Sequence, residues 1–80
     1  MEFEDIYRKY FRDVYRFSLS LTQDRALAEE VTQDTFFKAM KGLARFDWSK
    51  DIRAWLFTIA RNSYYSHCRA QKRAISAEDL

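Results

Sequence analysis

The sequence predicts an all-α protein, a small three-helix bundle with a possible short extra helix or turn. Proline is absent and glycine occurs once, as Gly42, so few positions would interrupt a helix. Apolar residues recur at spacings of three and four, the period of a helix that packs on one side. Eighty residues suffice for one small core. We expect a helical domain over residues 1–75, with 76–80 as a frayed tail or the start of a linker.

The first helix is predicted by a long apolar stripe. Its members alternate in steps of four and three over about five turns, and the helix should end near Thr22. The stripe consists of Phe3, Tyr7, Tyr10, Val14, Phe17 and Leu21. We expect this stripe to face the core.

The second helix should start just after the first ends. Thr22 or Asp24 can accept hydrogen bonds from the free backbone N–H groups of its first turn, and Gly42 is placed to end it. Its apolar contacts are expected from Leu27, Ala28, Val31, Phe36, Ala39, Met40 and Leu43.

A polar strip lies along this second helix. Glu30 precedes Gln33 by three residues and Asp34 by four, so the three share one side, with Glu29 beside them. Capping and solubility would explain such acidic residues without a function. The same strip could also meet a basic protein surface.

The third helix should begin at Ser49 or Asp51 and run to about Arg73. Its buried stripe is predicted to be Ile52, Trp55, Leu56, Ile59 and Ala60. Beyond residue 50 the charge becomes basic, with Arg53, Arg61, Arg69, Lys72 and Arg73 against Asp51 alone up to residue 75. This pattern fits a solvated helix face, and it also fits a polyanionic partner.

The loop before the third helix carries two aromatic residues among charges. Phe46 and Trp48 can plug the end of the bundle, or they can offer rings on which bases stack. Plugging is slightly favoured for Phe46, and the choice stays open for Trp48. Asn62 would suit hydrogen bonding to the edge of a base taken out of a duplex.

Catalytic arrangements are missing from the sequence. His67 and Cys68 are the only histidine and cysteine, so no Cys/His metal cluster is expected, and one glycine cannot make a glycine-rich phosphate loop. No apolar run approaches the roughly 18 residues of a membrane span. We therefore expect no enzyme, no cofactor, no metal site and no membrane partner, and a cytoplasmic monomer.

Two segments together resemble a known family. "ALAEEVTQDTFFKAM" (26–40) and "RFDWSKDIRAWLFTIARNSYYSHCRAQKR" (45–73) are similar to region 2 of bacterial RNA polymerase sigma factors, of the extracytoplasmic-function (ECF) group. The family pattern is an acidic A-E-D-x-x-Q-E-x-F helix, a variable loop, then W-L-x-x-I-A-x-N and a basic R-x-x-x-R end. The resemblance extends from about Tyr7 to Arg73.

The resemblance implies two binding surfaces. One would dock on the clamp helices of the largest subunit of the RNA polymerase core, through Glu29, Glu30, Gln33, Asp34 and Phe37. The other would recognise the non-template single strand of the melted −10 promoter element. Its loop 45–51 would cover a flipped base, with Asn62 beside it. The DNA-binding residues would be Phe46, Asp47, Trp48, Ser49, Lys50, Arg53, Arg61, Asn62, Tyr65, Arg69, Lys72 and Arg73. An anti-sigma factor is an implied further partner.

The chain departs from the family pattern at several positions. Glu30 stands where aspartate is usual, Asp34 where glutamate is usual, and Ser66 where an acidic residue is common. A complete ECF factor also carries a helix-turn-helix domain that reads the −35 element. No segment here matches that domain, so we expect a piece of a longer protein or a one-domain relative. The alternatives are a protein-interaction bundle without DNA recognition and a fragment of a duplex-binding repressor.

Overall fold

The computed structural model describes residues 2–78, and the side chains of residues 2–71. Its elements are α1 (Phe3–Thr22), α2 (Arg25–Gly42), a 3₁₀ turn (Leu43–Arg45) and α3 (Ile52–Glu78). The all-α three-helix prediction is confirmed, and the 3₁₀ turn is the extra element. α3 continues past its predicted end near Arg73, because no glycine or proline follows to stop it. Within the described part of the chain, no helix combines the length and apolarity needed to cross a bilayer.

The helix starts follow from side-chain capping. Asp24 accepts hydrogen bonds from the backbone N–H groups of Ala26 (2.9 Å) and Leu27 (3.3 Å) at the start of α2. Asp51 does the same for α3, with Arg53 N at 2.9 Å. Of the alternatives that the sequence offered, the aspartates are therefore the caps. Gln23 caps the C-terminal end of α1, and its left-handed backbone (φ 54°) turns the chain towards α2.

The core lies between all three helices. Ile6 and Val14 of α1 meet Val31 and Phe36 of α2, and Leu56 of α3 is fully buried among them. Ala28, Ala39, Ile52 and Ala60 complete the buried apolar set. Three members of the stripe predicted for α3 are thus buried, while Trp55 and Ile59 are partly buried at its edge.

Gly42 has a packing role. It is the last residue of α2, as predicted, but its backbone is right-handed (φ −91°), so it is not a left-handed cap. A Cβ atom at this position would lie 3.2 Å from Cζ2 of Trp55, closer than about nine in ten such contacts. Glycine therefore lets the Trp55 ring lie directly against the end of α2, where it supports the following loop.

Candidate protein and nucleic-acid interfaces

The loop from Phe46 to Asp51 is closed by hydrogen bonds around Asp47. Oδ1 of Asp47 accepts from the Ser49 hydroxyl (2.7 Å) and the Ser49 backbone N–H (3.0 Å), and the Asp47 carbonyl accepts from the Lys50 N–H (2.9 Å). The side-chain and backbone hydrogen bonds from Ser49 lower the pKa of the Asp47 carboxyl below its ordinary 3.8. Asp47 is therefore a fixed negative charge at neutral pH.

The two loop aromatics have different environments. Phe46 is partly buried, with its ring centroid 4.7 Å from that of Trp55 and 5.0 Å from that of Trp48. Phe46 thus packs on the end of the bundle, in agreement with the plug interpretation. Trp48 meets it edge-on, is 52% exposed, and lines a separate depression with Phe3 and Met40.

An open depression of about 520 Å³ lies between the loop and the first two turns of α3. The rings of Phe46 and Trp55 give it apolar walls, and charged groups surround them. The lining residues are Gly42, Arg45, Phe46, Asp47, Lys50, Asp51, Ala54, Trp55 and Thr58. The structure therefore brings three predicted DNA-binding residues together here (Phe46, Asp47 and Lys50), and it leaves Trp48 and Ser49 outside the lining.

One exposed face of α3 continues from this depression. Thr58 lines it, and Arg61, Asn62, Tyr65 and Arg69 follow at spacings of three and four, on the same side of the helix. All four are exposed, and Tyr65 is 48% exposed. The predicted DNA-binding residues of α3 therefore form a surface continuous with the loop.

Of the predicted DNA-binding residues on α3, Arg53 is not part of that surface. Nε of Arg53 lies 3.2 Å from Oδ2 of Asp13 in α1, and its guanidinium lies 4.8 Å from the centre of the Phe57 ring. Arg53 is thus directed towards α1, away from the face that carries Asn62. The side chains of Lys72 and Arg73 lie outside the described residues.

The acidic strip of α2 forms a second surface with α3. Glu30, Gln33, Asp34 and Phe37 line a depression of about 490 Å³ together with His67. Four of the five predicted polymerase-binding residues are therefore neighbours. The fifth, Glu29, lines an adjoining groove of about 310 Å³ with Gln33 and the α1 aromatics Tyr7, Phe11 and Tyr15. Phe37 is 52% exposed, and Nζ of Lys41 lies 4.3 Å from the centre of its ring.

Asp34 is bonded to the neighbouring helix. Its Oδ2 accepts a short hydrogen bond from the hydroxyl of the fully buried Ser63, and Lys38 Nζ lies 3.0 Å from the same oxygen. Partial burial raises the pKa of the Asp34 carboxyl, but the hydrogen bonds from Ser63 and Lys38 and the nearby positive charges outweigh this. The net pKa is below the ordinary 3.8, so Asp34 is ionised at neutral pH.

Ser63 and His67 were not predicted to belong to this surface. Ser63 follows Leu56 and Ala60 on the buried side of α3, and a hydroxyl in such a stripe requires a partner. The position of Ser63 in this stripe could therefore have predicted a hydrogen-bond partner, although the sequence does not show which carboxylate that partner is. Nδ1 of His67 lies 3.9 Å from Oε2 of Glu30, so α3 contacts the acidic strip at two levels.

The helices and their sequence are similar to those of known proteins. Residues 6–74 match the family model of sigma-70 region 2. The ECF RNA polymerase sigma factor SigM of Bacillus subtilis (strain 168) is 40% identical over 79 residues, which cover 99% of this chain and 48% of SigM. The ECF RNA polymerase sigma factor BldN of Streptomyces coelicolor is 34% identical over 71 residues, 88% of this chain and 27% of BldN.

A solved structure has the same arrangement of helices. The sigma factor RpoE, in its complex with the anti-sigma factor NepR from Bartonella quintana, is similar with a TM-score of 0.88 and 32% identity. The similarity covers 96% of this chain and 48% of that one. The chain thus spans about half the length of SigM and of RpoE.

Proposed function

The chain belongs to the sigma-70 region 2 family, of the ECF type, and from that premise we propose that it is a transcription-initiation module. It docks on RNA polymerase through α2, and it binds the unpaired non-template strand of the −10 promoter element through the loop and α3. The module acts in the cytoplasm as a monomer and binding factor, and it is not itself an enzyme.

The observation that carries the proposal is the continuity of the loop depression with the exposed face of α3. Cationic groups that follow a phosphate backbone and aromatic groups that contact bases are the two requirements of single-strand binding. Arg61 and Arg69 supply cations, and the Phe46 and Trp55 rings line a space for one unstacked base. Asn62, one turn beyond Thr58, supplies an amide that can bond to a base edge.

The polymerase-docking half of the proposal relies on the acidic depression of α2. Glu30 and Phe37 are exposed there, and they give a negative surface with an apolar centre. Such a surface fits a basic helical partner, because charge complementarity orients the encounter and apolar burial adds affinity. The clamp helices of the largest polymerase subunit are the proposed partner.

Single-strand binding is tested with the variant Asn62→Ala. The chain should bind a single-stranded −10 oligonucleotide more tightly than the matched duplex, in a salt-dependent manner, and Asn62→Ala should weaken single-strand binding about tenfold. Fluorescence anisotropy at low salt measures both affinities. Gln71→Ala is the control, since Gln71 is also exposed but lies on the opposite face of α3 at about 100° per residue. Equal binding of both probes, unchanged by Asn62→Ala, would contradict base capture.

Docking is tested by charge reversal at Glu30. Glu30→Lys should reduce binding to core polymerase at least about tenfold, whereas Glu4→Lys, at the exposed start of α1, should leave it unchanged. Co-purification with core enzyme, quantified over a concentration series, gives the affinities. Asp34 is unsuitable for this purpose because its contacts with Ser63 and Lys38 also support the fold. Equal loss from both variants would indicate a general charge effect and would count against a specific docking face.

A second candidate function is a protein-interaction module without DNA recognition of its own, with an anti-sigma factor as partner. The similar RpoE structure is a complex with the anti-sigma factor NepR. The exposed Phe37 in the acidic depression is a suitable contact for such a partner. The two candidates differ in one measurement: the interaction module binds polymerase or an anti-sigma factor, but no single-stranded oligonucleotide even at low salt.

A further inference from the structure

One oxygen of Asp47 is left available at the loop depression. Ser49 donates both of its hydrogen bonds to Oδ1, and no group among the described residues donates to Oδ2. The side chain of Asp47 is held by its turn, and Asp47 lines the depression together with Phe46 and Trp55. A fixed carboxylate oxygen next to aromatic walls is a hydrogen-bond acceptor for a flat ligand that carries an N–H donor.

Two cations line the same depression. Arg45 and Lys50 both contribute to its lining, and neither forms an ion pair with a described residue. They can donate to ring nitrogen or carbonyl acceptors, and they offset the repulsion between Asp47 and a phosphate backbone. The depression thus offers carboxylate acceptors, Asp47 and the helix-capping Asp51, with strong donors nearby.

We propose that Asp47 makes this depression selective for a base with an exocyclic amine next to a ring-nitrogen acceptor, which means cytosine or adenine. The inference rests on the proposed single-strand binding, and it assigns the base class that the loop prefers. The amine donates to Oδ2 of Asp47, while the adjacent ring nitrogen accepts from Lys50 or Arg45. The base lies against the Phe46 and Trp55 rings.

Thymine and guanine fit this arrangement less well. Each presents a keto oxygen where cytosine or adenine presents the amine, and a keto oxygen beside a carboxylate leaves two acceptors facing each other. Guanine binds a carboxylate well when its two neighbouring N–H donors reach both oxygens. Here Oδ1 already accepts two hydrogen bonds from Ser49, which disfavours that bidentate mode.

The test compares two homopolymers of equal length, oligodeoxycytidine and oligodeoxyuridine. The two bases differ in the amine and the adjacent ring nitrogen, and neither carries the thymine methyl group. Fluorescence anisotropy with the whole chain, at low salt and a pH above neutrality, should show about tenfold tighter binding of oligodeoxycytidine. Asp47→Asn should abolish the difference, because its amide oxygen still accepts from Ser49 while its NH₂ group replaces Oδ2.

Two controls separate the inference from the function on which it rests. Glu4→Gln removes the same charge from the exposed first turn of α1, outside the lining of the depression, and should keep the preference for cytosine. An oligomer of abasic sites, equal in length, should bind more weakly than either homopolymer. If the abasic oligomer binds as tightly as both homopolymers, base capture itself is overturned.

If both homopolymers bind equally well but more tightly than the abasic oligomer, base capture stands and the role of Asp47 is overturned. The same conclusion follows if Asp47→Asn, with an unchanged melting temperature, keeps the full preference. Equal binding of the two homopolymers by the unaltered chain overturns the role of Asp47 even if the variant does not fold.

Discussion

The acidic face of α2 and the exposed face of α3 differ in how their polar groups are bonded. On α2, Asp34 accepts a hydrogen bond from buried Ser63, and Glu30 lies 3.9 Å from His67, so α3 contacts both carboxylates. On α3, Arg61 and Asn62 form no hydrogen bond or ion pair with another described side chain, while Arg69 donates only to Ser66 of its own helix (3.2 Å). One face is integrated into the bundle, and the other is open to a partner.

This difference affects what each face contributes. A carboxylate that is bonded within the protein stabilises the fold and holds its own geometry, so the α2 face is a preformed surface. Exposed cations add little to stability, but they release counterions when they meet a polyanion. We therefore expect mutations of Asp34 on α2 to change stability and docking together, and mutations on the α3 face to change binding alone.

The largest effect is expected from the core that both faces share. Leu56 is fully buried, and Leu56→Ala should lower the free energy of unfolding by about 2–5 kcal/mol through lost burial and a cavity. Urea denaturation followed by circular dichroism measures the change. Met40→Ala is the control, since Met40 is 50% exposed and should cost much less. Single-strand binding and polymerase docking should both weaken in Leu56→Ala. Loss of only one of them would show that the two faces do not depend on the same core.

A smaller loss is expected when the contact between the two helices is removed. Ser63→Ala deprives Asp34 of its buried donor, and the free energy of unfolding should fall by about 1 kcal/mol. This loss is small for a hydrogen bond to a charged acceptor, because Asp34 remains partly open to water. Alanine also has a higher helix propensity than serine, which offsets part of the loss. Urea titration at neutral pH gives the difference. An unchanged stability would mean that the two faces are energetically independent.

The same pair predicts a pH dependence. The pKa of Asp34 is lower in the folded chain than its ordinary 3.8, so its ionised form stabilises the fold above that pH. This stabilisation is lost as the pH falls through the lowered pKa. The stability difference between the unaltered chain and Ser63→Ala should therefore narrow between neutral pH and about pH 3. A difference that widens on acidification would contradict the assignment.

On the α3 face, the expected change is in binding. Arg61→Ala should weaken single-strand binding a few-fold, and it should reduce the slope of log affinity against log salt by about 0.7, the value for one phosphate contact. Arg53→Ala is the matched control, because Arg53 faces Asp13 and Phe57 of the bundle. Anisotropy titrations at several salt concentrations give both slopes. Equal reductions in the two variants would place Arg53 on the DNA-binding face after all.

The smallest change in stability is expected at Lys38, the second partner of Asp34. Lys38 is one helical turn away, and side chains of such exposed pairs contribute about 0.3–0.5 kcal/mol. Lys38→Gln keeps the helix propensity and should lower the free energy of unfolding by no more than that amount. High salt should remove the difference, whereas it should leave most of the Ser63→Ala effect. If Lys38→Gln lowered the free energy of unfolding more than Ser63→Ala does, Lys38 would be the more important partner of Asp34.

Arg53 and Arg61 illustrate how far the sequence could predict the site. Both are basic residues on α3, and both were predicted to bind DNA. The register of α3 on α1 directs Arg53 to Asp13, and it leaves Arg61 exposed. The two tryptophans are a similar case. Trp55 was expected to be structural, and it lies against Gly42. Whether Trp48 plugs the bundle or offers a ring to a base could not be predicted, because its position depends on the path of a loop that has no periodic pattern.

The sequence alone determined the fold class, the three helices and the family, and it offered Asp24 and Asp51 among the alternative caps of α2 and α3. These are local properties, because helix period, capping and the absence of breakers depend on residues a few positions apart. Only the tertiary structure decided that Ser63 bonds Asp34, that Arg53 is turned away, and that Phe46, Asp47 and Trp55 surround one depression. Each of these contacts depends on how two helices, or a helix and a loop, are rotated against each other. That rotation is set by the packing of the whole core.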